Sequence, residues 1–218
     1  MIEHHQENDR GRDFFVGDIH GQFRLLEEAM QRVSFDKARD RMFSVGDLID
    51  RGPDSMTCLS LAFEPWFHGV RGNHEMLAYD ALRDEDVMPL WLINGGSWLL
   101  TENEVEVRQL LFEALRHLPY VREIEIKGKR IGMVHAEPPV QWGQVTHPSN
   151  QRKLVWGRSR FESGDTSTVV GIDAVVVGHT IVPEPARLGN VHYIDTGAFT
   201  TGRLTLLEAH EIESGIRP

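Results

Sequence analysis

The chain has little with which to cross-link itself, enter a membrane or grip a nucleic acid. Its one cysteine, Cys58, excludes an internal disulfide framework and any cysteine-based zinc knuckle. No apolar run approaches the ~20 residues that a bilayer-spanning helix needs. The opening residues, MIEHHQENDRGRD, hold no apolar segment of signal-peptide type, so the expected compartment is the cytoplasm. Positive charge is scarce: 23 Lys and Arg against 33 Asp and Glu leave a formal charge of −10. That balance argues against nucleic acid as a partner, which needs clustered cations to release counterions, and against adsorption to an anionic membrane. Repeats, low-complexity tracts and Pro/Gly/Ser linkers are also missing, and 218 residues suit a single domain. An acidic chain of this kind, if it handles phosphate, must supply positive charge locally, by metal ions or a few placed arginines.

What is present has a rhythm. Residues 1–12 read as a loose polar lead-in, and the domain is expected to run from 13 to 218. From there a unit recurs: a short apolar strand, a glycine-containing loop rich in Asp, His or Asn, then an amphipathic helix. Phe14-Phe15-Val16 leads into GDIHG and a helix with Leu26, Met30 and Val33 on one face. Met42 to Val45 leads into GDLIDRGPD and a helix carrying Met56, Leu59 and Phe63. Trp66 to Val70 leads into RGNHE and a helix through Met76, Leu77 and Ala81. Residues 87–117 look helical apart from Asn94-Gly95-Gly96. Strands follow at 121–126 and 130–134, with Lys127-Gly128-Lys129 as the turn, then at 174–177, 191–194 and 204–207. The fold class expected is α/β, with mixed sheets flanked by helices in one domain.

The reactive residue types gather at the ends of these strands. Asp18 and His20 follow the first strand; Asp47, Asp50 and Arg51 the second; Arg71, Asn73 and His74 the third. His135 and His179 each close a later strand. In open α/β sheets such ends converge on one crevice. Asp18, His20, Asp47, Asn73, His135 and His179 form an oxygen and nitrogen donor set without thiolate, suited to Mn²⁺, with Fe or Zn as alternatives. Six ligands are too many for one catalytic ion with open positions, and suit two if a carboxylate bridges; Asp47, in the central loop, is the candidate. Two such ions hold a hydroxide between them and neutralise a phosphoryl group during in-line displacement. Arg51 and Arg71 offer guanidinium forks to phosphate oxygens. His74 is placed to act as an acid, oriented by Asp50.

GDIHG at 17–21, GDLIDRG at 46–52 and RGNHE at 71–75 together resemble the signature of the metal-dependent phosphoprotein phosphatases, a branch of the calcineurin-like metallophosphoesterases, in its small bacterial and phage form. The likeness continues in order through VHA at 134–136, WGR at 156–158, VGHT at 177–180 and YIDTGA at 193–198. It implies a β-sandwich flanked by helices. It implies that Asp18 and His20 bind the first metal, that Asp47 bridges, and that Asn73, His135 and His179 bind the second. It adds Arg158 to Arg51 and Arg71 as a phosphate ligand, and pairs His74 with Asp50 as the acid for a serine or threonine alkoxide. The substrates implied are phosphorylated proteins or peptides. A related alternative is the symmetrical dinucleoside tetraphosphatase, which usually ends the third motif in Asp rather than the Glu75 found here and lacks the aspartate matched by Asp50. One departure from the resemblance is HAEPP at 135–139, where relatives usually carry Asp after His-Ala.

Other conspicuous residues receive plainer readings. His4, His5, His68, His117, His147, His192 and His210 lack matching partners and are expected to be structural or solvated. Cys58 reads as a buried inert thiol. Trp91, Trp98, Trp142 and Trp156 read as packing, and Asp195 as a turn-former.

Overall fold

The structure, a computed structural model, describes residues 2–213. Its strands are β1 (Ile2–His5), β2 (Asp13–Val16), β3 (Arg41–Ser44), β4 (Phe67–Gly69), β5 (Val121–Ile126), β6 (Lys129–Met133), β7 (Ala174–Val177), β8 (Ala186–Leu188), β9 (Val191–Tyr193) and β10 (Leu206–Glu208). They form two mixed sheets, one of order β1-β5-β6-β7-β9-β8 and one of order β10-β2-β3-β4. Helices α1 (Phe23–Arg32), α2 (Ser55–Ser60), α3 (Asn73–Ala81), α4 (Met88–Ile93) and α5 (Glu104–His117) follow the early strands.

Side-chain alternation along a strand explains the layering. Phe15, Phe43 and Val45 point from the smaller sheet toward Ile124, Ile131, Met133 and Val176 of the larger one, and this dry seam joins the sheets. One residue away on the same strands, Val16 and Met42 face the other way, and with Phe67 of β4 they join the layer of Leu26, Leu59, Leu77, Trp91 and Leu111 from the helices. Beyond the larger sheet, Val134, Val175 and Tyr193 pack under Trp142 and Leu154. Cys58 lies in the helical layer, and burial pushes its thiol pKa up, as its inert reading requires.

Within the smaller sheet β2, β3 and β4 are mutually parallel, and within the larger one β6, β7 and β9 are. The loops after all six therefore leave from like ends of their sheets. The helix read as carrying Leu26, Met30 and Val33 on one face stops at Arg32, with Val33 capping it. The second helix ends at Ser60, and Phe63 stands exposed in a short 3-10 turn.

The polar lead-in needs correction. Ile2–His5 is a strand that pairs in parallel with β5, in register from Ile2 opposite Val121 to His5 opposite Ile124. Its composition gave no apolar alternation to announce it; what holds it is Arg122 of β5, buried and bonded to Glu3 and to His5 Nε2. His5 in turn packs edge-on against Phe43, with His68 at 4.6 Å between ring centroids.

Burial, the mutual repulsion of the two rings and the nearby Arg122 push the pKa of His5 down to about 3. Burial and then Arg122 push that of His68 down to about 4. Both rings take up protons more readily in the unfolded chain, so they favour folding above their ordinary pKa of about 6.5 and oppose it as pH falls. We expect the melting temperature to fall from pH 7 to pH 4.5, and the fall to be shallower in His5→Gln. A His5→Gln profile as steep as the wild type's would remove this histidine pair as the cause.

Candidate active site

The loops after β2, β3, β4 and β7 meet in a cleft of about 360 Å³, bordered by Asp18, Asp47, Asn73, His74 and His179. The backbone there is unusual. Among the described residues seven that are not glycine have positive φ, and five of them are His20, Asp47, Asp50, Arg51 and His179. Such conformations cost energy and persist where surrounding structure over-determines them, often at working sites.

The over-determination is visible for the central loop. Glu75, in the first turn of α3 and fully buried, accepts backbone N–H groups from Leu48 (2.7 Å), Gly72 (2.7 Å), Asp47 (3.0 Å) and Ile49 (3.3 Å). Burial and then the neighbouring Asp47 push its pKa up to about 6. The loop is pressed so closely on α3 that a Cβ on Gly72 would lie 2.0 Å from Asp47 Oδ1. Gly178 is constrained likewise by Asp18 Oδ1, also at 2.0 Å.

Asp47 is the hub. Its Oδ2 lies 3.5 Å from His20 Nε2, 3.4 Å from His135 Nε2 and 4.0 Å from His74 Nε2. Its Oδ1 accepts the backbone N–H of His74 at 3.0 Å. Burial opposes its charge, but His135, His74 and His20 outweigh that and hold its carboxyl well below the usual range. Asn73 Oδ1 is 2.9 Å from His135 Nε2. Asp18 accepts the backbone N–H of His179 at 3.0 Å, and burial, then Asp195 and Asp47, push its pKa well above normal. Asp195, read from sequence as a turn-former, does accept the Gly197 N–H at 2.8 Å. It is also buried and hydrogen-bonded to Asp18, so three carboxylates crowd one dry site.

The donor set fits divalent cations. His20 Nδ1 donates to Ile49 O at 2.9 Å and His135 Nδ1 to Val45 O at 2.7 Å, which turns both Nε2 lone pairs inward. Burial pushes His20 and His179 down to about 3, so both rings are neutral, the form that binds metal. Two groups, His20–Asp47–His74 and Asp47–His135–His179, bring their ligand atoms within 4.8 Å of one another and share Asp47. Crowded buried carboxylates of this kind are relieved by cations.

Two of the three predicted arginines reach the cleft. Arg51 Nη1 donates to His20 Nε2 at 2.7 Å, and Arg158 Nε to His179 Nε2 at 3.0 Å. Arg71 does not, and its reading as a phosphate ligand is corrected. Its guanidinium donates to the carbonyls of Leu115 (2.5 Å) and Leu118 (2.6 Å) and stacks over Tyr120. It satisfies carbonyls at the end of α5, a structural task that its place in RGNHE does not disclose.

One contributor escaped the sequence reading, and a second, noted there only as a departure from the resemblance, gains a task. Phe199 of the short helix α6 (Ala198–Thr201), just past YIDTGA, lies on Arg51 with 4.3 Å between guanidinium and ring. Glu137, the departure in HAEPP, is buried beneath the Arg158 loop. It accepts Ser159 Oγ at 2.8 Å and pairs with Lys153 at 3.0 Å, so it holds the segment that presents Arg158.

His74 Nδ1 lies 2.7 Å from Asp50 Oδ2. Burial works against a charged ring, but Asp47 and the bonded Asp50 outweigh it and raise the His74 pKa above its ordinary value. The His74 imidazole, its affinity for a proton raised, thus faces a cleft with two arginines and a donor set that fits cations.

The family model for calcineurin-like phosphoesterases matches residues 14–183. The chain belongs to that family. It is therefore a metallophosphoesterase, a hydrolase whose relatives use divalent metals, and its two-sheet architecture is the one the resemblance implies. It is 40% identical over 193 residues to serine/threonine-protein phosphatase 1 of Salmonella typhimurium, covering 88% of each chain. It is 32% identical over 138 residues to a symmetrical bis(5'-nucleosyl)-tetraphosphatase of Shewanella sp., covering 61% of this chain and 47% of that one. Of solved structures, one attributed to a diadenosine tetraphosphatase superposes with a TM-score of 0.69 over 96% of this chain and 94% of that one, at 21% identity; that likeness concerns the fold alone.

Two substitutions test this placement of residues. Glu75→Ala orphans buried N–H groups at about 1–3 kcal/mol each, so urea unfolding should show a loss of at least roughly 3 kcal/mol. A loss under about 1 kcal/mol would mean the loop holds itself. Arg71→Ala should lower the melting temperature yet leave inhibition by inorganic phosphate intact, whereas Arg51→Ala should weaken that inhibition about tenfold. Equal weakening in both would return Arg71 to the cleft.

Proposed function

We propose that this protein is a serine/threonine protein phosphatase that hydrolyses phosphomonoesters of proteins and peptides with a pair of divalent cations, Mn²⁺ being the best match to the donor set. The observation that carries the reading is the buried His74–Asp50 pair. A serine or threonine alkoxide is a strongly basic leaving group and needs a proton as the P–O bond breaks. A nucleotide phosphate, the group released by a dinucleoside tetraphosphatase, leaves as a much weaker base and needs no such acid. The extent of likeness agrees, since the protein phosphatase relative is covered over 88% of its length and the tetraphosphatase over 47%.

In this reading Arg51 and Arg158 hold the phosphoryl oxygens by two-pronged hydrogen bonds. Phe199 stacks on Arg51 and limits the conformations it explores. Asp18, His20, Asp47, Asn73, His135 and His179 would hold the cations, Asp47 being the carboxylate common to both candidate groups. Bound there, divalent cations acidify the attacking water and neutralise the phosphoryl group. Attack on phosphorus is direct, without a phosphoenzyme. His74 delivers its Nε2 proton to the leaving oxygen while Asp50 keeps the Nδ1 proton in place.

Metal-stripped protein should release phosphate from a phosphoserine or phosphothreonine peptide only after Mn²⁺ is restored, and should cleave diadenosine tetraphosphate poorly. Preferential release of ADP would transfer the protein to the nucleotide enzymes. His74→Asn should lower kcat on the peptide by on the order of 10²-fold or more, and much less on nitrophenyl phosphate, whose leaving group is already stable. Equal losses would remove the acid role. Asp47→Asn should depress both activities together with bound Mn²⁺; wild-type metal content in that variant would sink the bridging assignment.

A further inference from the structure

Asp50 is fully buried and its carboxylate receives more than His74. Trp91 Nε1 on α4 lies 3.0 Å from each carboxylate oxygen, and Trp98 Nε1, in the 3-10 turn that follows, lies 2.7 Å from Oδ1. Each oxygen therefore faces two N–H groups: Trp91 and His74 on Oδ2, Trp91 and Trp98 on Oδ1. The two indoles meet edge to face, with centroids 5.9 Å apart. The link between them leaves no slack, because a Cβ on Gly96 would lie 2.5 Å from Trp91 Nε1. Gly95 O in the same link accepts the Arg51 backbone N–H at 3.0 Å.

Packing alone does not explain this. A buried indole N–H needs one acceptor, and a backbone carbonyl would serve. Here two converge on a single carboxylate, with no lysine or arginine among its hydrogen-bond partners in the described residues. Neutral donors lock the carboxylate's orientation without cancelling its charge, so that charge remains available to the imidazole in front of it.

We propose that Trp91 and Trp98 are positioning residues for the acid. Their indole N–H groups fix the plane of Asp50, Asp50 fixes the ring of His74, and Nε2 is thereby aimed at the leaving oxygen. This rests on the acid role given to His74 above and adds to it a part of the chain outside the shared motifs. It also ties the acid and Arg51 to one segment, residues 91–98, so the proton donor and a phosphate ligand are set by the same short stretch.

The test uses Trp→Phe changes, which keep an aromatic ring, though a smaller one, and remove the donor, in the Mn²⁺-loaded protein. Trp98→Phe, at the half-buried position, should lower kcat on a phosphoserine peptide by on the order of tenfold and on nitrophenyl phosphate by no more than about threefold. It should add nothing further in a His74→Asn background. Equal losses on the two substrates, or full additivity with His74→Asn, overturn the proposal. If Trp91→Phe does not fold, Trp98→Phe decides.

A second readout needs no turnover. The indole N–H resonances of Trp91 and Trp98, assigned by the single variants, should both move upfield in Asp50→Asn, while those of Trp66 and Trp142, bonded to Glu64 and Glu123, stay in place. Unmoved Trp91 and Trp98 signals overturn the proposal. Should the protein prove inactive on phosphopeptides, the protein phosphatase reading fails separately. The clamp is then read from substituted phenyl phosphates, where Trp98→Phe should steepen the dependence on leaving-group pKa. A slope equal to the wild type's counts against the clamp.

Discussion

Four backbone N–H groups aimed at one buried carboxylate, that of Glu75, hold the loop on which the cleft depends. The loop runs through Asp47, Asp50 and Arg51 with left-handed backbone at all three, a path the chain would not keep unaided. Because Glu75 grows from the first turn of α3, the same helix start that presents Asn73 and His74 also anchors Asp47. Residues from β3 and from the β4–α3 junction thus behave as one rigid block. The second sheet adds His135 and His179 to it only because the seam of Phe15, Phe43, Val45, Ile131 and Val176 fixes the sheets against each other.

The electrostatics follow from that rigidity. Asp18, Asp47 and Asp195 are buried together, an arrangement whose desolvation cost is borne because the packing leaves the carboxylates nowhere to turn. Nearby imidazoles partition by environment. His20 and His179 are neutral from burial, while His74 is drawn upward by Asp47 and Asp50. One cleft therefore holds imidazoles whose proton affinities burial and carboxylates push in opposite directions, within a few ångströms of one another. In a chain of net charge −10, the arginines that line this cleft are Arg51 and Arg158, so any attraction for an anion there is local.

Support around the cleft comes from residues that make no claim to chemistry in the sequence. Glu137 and Ser159 set the Arg158 loop, Phe199 covers Arg51, and Trp91 and Trp98 enclose Asp50. All act through contacts between parts of the chain far apart in sequence, and each bears on a side chain whose angle matters more than its presence.

Local patterning along the chain was enough to read the α/β class, the recurrent strand–loop–helix units and the gathering of Asp18, His20, Asp47, Asn73, His74, His135 and His179 at strand ends. These are local matters: side-chain alternation marks a strand, and the donor types in a glycine-bounded loop mark its chemistry. The rest followed from long-range packing. Arg71 and Arg51 occupy equally suggestive motif positions, but the carbonyls of Leu115 and Leu118 draw one away from the cleft and the pocket around His20 admits the other. Ile2–His5 has too little apolar pattern to announce a strand, yet buried Arg122 requires partners and finds them there. Trp91 and Trp98 look like any core aromatics until Asp50 is seen beside both. In each case the deciding partner lies dozens of residues away, and no local pattern encodes which polar group a side chain will meet once the sheets have packed.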